Sequence, residues 1–182
     1  MASLDTYLPT ELGKILSDLK LQGRTIAKIE SPSIVFSSIK KDKLDTETKN
    51  YETFYKDAEI DLITLLTLDD GRRIGFDFSS ASHVGVYVDP EINIEEEADY
   101  DKGDITVTDL FSNVVGKKIK DFHIQKVDSI DKLREGFGFE DGGFNENQES
   151  FITRFDIIFE KNDRICFEND IDYTVIHYDR MI

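Results

Sequence analysis

The chain reads as an α+β protein, mostly β, made of two similar helix-plus-antiparallel-sheet units that arise from an internal repeat. Three observations carry that expectation. The stretches "DDGRRIGFDF" and "KNDRICFEND" set an arginine, an isoleucine, a small residue and a phenylalanine in the same order, with Arg73 and Arg164 standing 91 residues apart. "GRTIAKI" from Gly23 matches "GKKIKDF" from Gly116, 93 residues on, and "HVGVYVD" ending at Asp89 matches "YTVIHYD" ending at Asp179, 90 residues on. Around these blocks, apolar and polar residues alternate with the period of strands that bury one face. Ordered blocks at near-constant spacing indicate duplication of a unit of roughly 75 residues, longer than the common solenoid periods. The units are expected at residues 1–90 and 106–182, joined by an acidic linker over 91–105 and packed as one body or as adjoining lobes.

Each unit opens on a helix. "TELGKILSDLKLQG" sets Leu12, Ile15, Leu16 and Leu19 on one face, with Gly23 placed to end the helix in the left-handed region. Its counterpart is "TDLFSNVVG", with Thr108 as cap and Leu110, Phe111 and Val114 facing inward. A strand follows each helix, "RTIAKIESPSIVF" and "KKIKDFHIQKV", and Pro32 should bulge or break the first. Polar stretches over 40–56 and 128–150 come next. Then come hairpins: "DLITLLTL" with "RRIGFDF" through Asp70-Gly71, suited to a type I′ turn, and "RFDIIFE" with "RICFEN" through Asn162-Asp163. Ile74 and Phe76, like Ile165 and Phe167, should alternate onto a buried face. "HVGVYVD" and "YTVIHYD" close the units as final strands.

Charge narrows the function classes. Lys and Arg number 22 against 38 Asp and Glu, a net charge of −16. Such a surface repels nucleic-acid phosphates and opposes docking on anionic membranes. It either attracts and steers a basic protein partner or simply keeps a cytosolic protein soluble. No run approaches the roughly 18 apolar residues of a membrane span. The opening "MASLDTYLPT" lacks the pattern of a secretory signal. The single cysteine, Cys166, excludes an intramolecular disulfide and a cysteine-based zinc cluster. A cytoplasmic protein is expected.

No motif spells out chemistry. "DYDKGD" over 99–104 offers Asp99 and Asp101 at the first two positions of a calcium loop, but its glycine arrives one place early and Leu110 stands where a bidentate glutamate belongs. "GFGFEDGGFNENQ" over 136–148 lacks the lysine and hydroxyl that complete a phosphate loop. His83, His123 and His177 show no metal-ligand spacing. Cys166 becomes a nucleophile only with a histidine beside it in space; mid-strand, it reads as an inert thiol. No cofactor, no metal and no catalytic residue is expected.

"VVGKKIKDFHI", "FDIIFEKNDRICFEND" and "YTVIHYD" resemble the helix–strand–hairpin lines of small acidic bacterial immunity proteins, which protect a cell from polymorphic or contact-dependent toxins. The resemblance implies a cytosolic inhibitor of a toxin domain, often a nuclease with a basic active site, and it carries over no functional residue. The candidate contact residues come from charge and aromatic content: Glu95, Glu96, Glu97, Asp99, Asp101 and Asp104 in the linker, and Phe137, Phe139, Glu140, Asp141 and Phe144 in the glycine-rich loop, whose phenylalanines either anchor a partner or seal the end of the sheet. The alternative is an enzyme or small-ligand binder whose site is assembled from scattered residues.

Overall fold

Alternating apolar residues give strands, and in a computed structural model of the protein those strands form, among the described residues, two antiparallel sheets with one α-helix. The structure describes residues 2–6, 8–32, 36–39, 56–60, 63–80, 83–92, 111–127, 151–161, 163–170 and 173–179. In chain order the elements are β1 (Ala2–Thr6), α1 (Pro9–Asp18), β2 (Ile26–Glu30), β3 (Phe36–Ile39), β4 (Lys56–Ile60), β5 (Thr64–Leu68), β6 (Arg73–Ser80) and β7 (His83–Val88). A 3₁₀ turn (Ser112–Val114), β8 (Ile119–Val127), β9 (Phe151–Phe159), β10 (Arg164–Asp170) and β11 (Tyr173–Asp179) follow. One sheet runs β1-β7-β6-β5-β2, the other β3-β4-β11-β10-β9-β8. The fold is α+β and mostly β.

The inner faces meet in one core drawn from both halves of the chain. Ile74, Phe76, Ile165 and Phe167 are all fully buried, as their alternation requires. Phe155 and Phe167 stack at 4.7 Å between centroids, and Phe76 lies 5.0 and 5.5 Å from them across the sheets. Leu12 and Leu16 of α1 enter the same core, with Ile15 and Leu19 packed at its edge. Where β6 bulges near Phe78, its freed backbone N–H donates to Thr174 Oγ1 of the opposite sheet at 2.8 Å.

The sheets join at one corner through reciprocal hydrogen bonds. Gly23 N–H donates to the Ile119 carbonyl and Gly116 N–H to the Ile26 carbonyl, each at 2.8 Å. Ile26 N–H donates to Lys117 and Ile119 N–H to Arg24 at 3.0 and 2.8 Å. Gly23 and Gly116 adopt φ of 81° and 82°, a conformation only glycine takes readily.

Several local expectations need correcting. The helix stops at Asp18, and Lys20, at φ 52°, makes the left-handed turn; its N–H donates to the Ser17 carbonyl. Gly23 serves instead to aim its N–H at the other sheet. Within the described residues, the second helix is a single 3₁₀ turn that buries Phe111 and Val114; Thr108 and Leu110 lie outside them. The β5–β6 turn is not type I′, because only Gly71 has positive φ (86°). Leu68 accepts from Gly71 N–H and donates to the Arg72 carbonyl, which gives a three-residue loop with a glycine bulge. Asn162 lies outside the described residues, while Phe159 N–H donates to the Asp163 carbonyl in the matching way. Pro32 does end β2, and the chain crosses to the other sheet, where β3 and β4 extend β11.

Candidate functional site

The contact residues named from sequence, Glu95 to Asp104 and Phe137 to Phe144, lie outside the described residues. The structure does fix the root of the acidic segment. Asp89 leaves β7 at φ 45°, donating its N–H to the Arg73 carbonyl at 2.7 Å and accepting from Arg73 N–H through Oδ1 at 2.8 Å. The Arg73 guanidinium then reaches on, from Nη1 to the Pro90 carbonyl at 3.2 Å and from Nη2 to the Ile92 carbonyl at 3.1 Å. One side chain thus staples the exit of the linker to the sheet.

A polar row crosses the outer face of the second sheet. Strand register sets His123 of β8 opposite Asp156 of β9, Asp156 opposite Cys166 of β10, and Cys166 opposite His177 of β11. Asp156 is 1% exposed and accepts from Arg154 Nε at 2.5 Å and Arg164 Nη1 at 3.1 Å, with His123 Nδ1 3.6 Å away. Arg154 Nη2 lies 2.7 Å from Cys166 Sγ. Burial works against the Arg154 charge, but the hydrogen bond to Asp156 and the charges of Cys166, Asp156 and Glu168 outweigh it and hold the guanidinium above the usual arginine range. His177 Nδ1 sits 3.8 Å from Glu168 Oε2. The same register positions in the other sheet carry Glu30, Leu65, Gly75 and Tyr87, with Ile63 covering Gly75. The sheet architecture therefore tolerates an apolar centre here. The row assembles a thiol, two imidazoles and a carboxylate bound by guanidinium groups, with the sulfur fully buried. Sequence reading placed Cys166 mid-strand but missed its neighbours Asp156 and His177.

A second polar cluster sits under the β9–β10 turn. Asp163 Oδ2 accepts from Lys117 Nζ and from the Tyr178 hydroxyl, the latter at 2.8 Å, and the ammonium lies 5.5 Å from the Tyr178 ring centroid. Burial opposes the Lys117 charge, yet hydrogen bonds to Asp163 and Tyr178 raise its pKa overall. Burial raises the Tyr178 phenol, and Asp163 adds to the rise against Lys117.

Between α1 and β8 lies a cleft of about 190 Å³ with Leu16, Leu21, Phe122 and Ile124 on its floor. Among the described residues no group of three or more histidine, cysteine, aspartate or glutamate side chains is placed to hold a metal ion. Among them, too, no helix is long and apolar enough to cross a membrane. The chain matches no protein-family model, no curated protein and no solved structure.

Proposed function

We propose that the protein is a non-enzymatic, cytoplasmic immunity protein that binds and neutralises a basic, nuclease-type toxin domain. The net charge of −16 carries this reading. A nuclease must attract phosphate, so its cleft is basic, and an acidic protein associates with it quickly and occludes it without chemistry of its own. The Arg73 staple adds support: it gives the acidic segment a fixed root from which Glu95, Glu96, Glu97, Asp99, Asp101 and Asp104 follow, with Phe137, Phe139 and Phe144 as further anchors. The two halves are read as copies of one unit. Their reciprocal hydrogen bonds at Gly23 and Gly116, and the matching orders β7-β6-β5-β2 and β11-β10-β9-β8, support a duplication.

The test is co-expression of the protein with candidate nuclease-type toxins from its native host. Restored growth and a stoichiometric complex support the reading, whereas toxicity unchanged by the protein refutes it. The row His123–Asp156–Cys166–His177 favours a second reading, thiol or acid–base chemistry on the outer face of the second sheet. Cys166→Ser separates the two. An inhibitor keeps its protective effect, while a function abolished by that single change belongs to the thiol.

A further inference from the structure

The cleft between α1 and β8 takes no part in that reading, and its construction marks it as a ligand site. Gly13 lies in the helix interior, where glycine is less favourable than alanine. A methyl group there would meet Ile124 Cδ1 at 3.7 Å, an ordinary contact, and Gly13 has no positive φ to justify it. The fold does not require this glycine; what it preserves is the depth of the cleft. Lys20, at the mouth, is held at φ 52°, where glycine or asparagine is the usual occupant. Asp121 lines the same cleft, its Oδ1 oriented by Phe122 N–H at 2.9 Å and Gln22 Nε2 at 3.1 Å. Lys20 and Asp121 form no ion pair with each other. A cation and an oriented carboxylate thus line the same cleft as the apolar side chains of Leu16, Leu21, Phe122 and Ile124.

We propose that this cleft binds a free α-amino acid with an aliphatic side chain. Its carboxylate meets Lys20, its ammonium meets Asp121, and its side chain rests on Leu16, Leu21, Phe122 and Ile124. The volume of about 190 Å³ lies below the roughly 300–1,000 Å³ of drug-sized sites and admits one small molecule. Presence of both charges selects a zwitterion over a simple acid or amine, because each lone charge on the ligand would leave one cleft charge without its complement. The proposal rests on residues other than those assigned to the toxin, and its test involves no partner protein, so either reading can fail alone.

The experiment is titration of L-leucine into ¹⁵N-labelled protein, followed by amide chemical shifts. The expected result is saturable change confined to residues 13–22 and 121–124, with Kd on the order of 1 mM. 4-Methylpentanoate and 3-methylbutylamine, each lacking one charge, bind about tenfold more weakly, as does leucine to Lys20→Met or Asp121→Asn. Gly13→Leu fills the cleft and abolishes binding. Should that variant fail to fold, the two surface variants decide the matter. Shifts that never saturate, that persist undiminished in a folded Gly13→Leu, or that are unaffected by both surface variants overturn the proposal, and so does equal binding of the single-charge analogues.

Discussion

At the scale of single residues, the protein depends on a few aromatic side chains and on the polar triad of Lys117, Asp163 and Tyr178, of which Asp163 and Tyr178 are buried. Phe76 touches Phe155 and Phe167 across the core, and all are fully buried. Phe76→Ala or Phe167→Ala is expected to cost about 3–5 kcal/mol each in urea denaturation. Because the rings touch, the double variant should depart from the sum of the singles; simple additivity would mean that the contact contributes little. The triad gives a pH prediction. Lys117 and Tyr178 both have folded pKa values raised above their unfolded ones, which lie near about 10.4 and 10. A raised folded pKa means that the folded state holds the proton more tightly. The stability it contributes is therefore complete below about pH 10 and is lost as pH rises through the folded values. The urea midpoint should fall more steeply above about pH 10 in the native protein than in Lys117→Met/Tyr178→Phe. Equal slopes in the two proteins would remove the triad as the cause.

At the scale of elements, local pattern and distant contact divide the credit. The loop between β5 and β6 needs one left-handed residue, Gly71 at φ 86°. Gly71→Ala should cost about 1–2 kcal/mol by thermal or urea unfolding. Gly71→Asn should cost less, since asparagine tolerates that region; alanine and asparagine variants of equal stability would argue against the bulged loop. What was legible in the sequence is what a few neighbouring residues determine. Period-two alternation revealed β6 and β10 with their inward Ile and Phe, the leucine stripe revealed α1, and Pro32 announced the end of β2. Pairing with remote strands was not legible: β3 and β4 are short, and they join the sheet of the other half only because β11 offers an edge. The end of α1 was hidden for a similar reason. Arg72 Nη1, from the β5–β6 loop, donates to the Leu19 carbonyl at 2.6 Å and closes the helix before Gly23 is reached. The polar row around Cys166 was within reach of hairpin arithmetic, since Asp156 and Cys166 lie at equal distances either side of the Lys161 position. The partner across β11 needed the next register as well.

At the scale of the whole molecule, the excess of carboxylates is a field acting beyond any one contact. Exposed charges are screened over about 8 Å at physiological ionic strength, so an association steered by this field must slow as salt rises. Dissociation, governed by the short-range contacts of the formed complex, should change far less. The acidic run at Glu95, Glu96 and Glu97 begins three residues beyond Ile92, where the Arg73 staple ends. Reversing all three to lysine changes each by two units and takes the net charge from −16 to −10. On the reading that Glu95 to Glu97 meet the partner and not the protein's own core, the triple variant should keep the thermal midpoint of the native protein within a few degrees, about the shift of 1 kcal/mol. Its association rate with the basic toxin domain should drop by about tenfold or more at low salt, with the difference shrinking as salt is raised. Stopped-flow association from about 20 to 500 mM salt measures both quantities in one series. A rate indifferent to salt in the native protein would show that the field plays no part in recognition. A triple variant that loses its fold along with its rate would place the acidic run in the structure instead of at the interface.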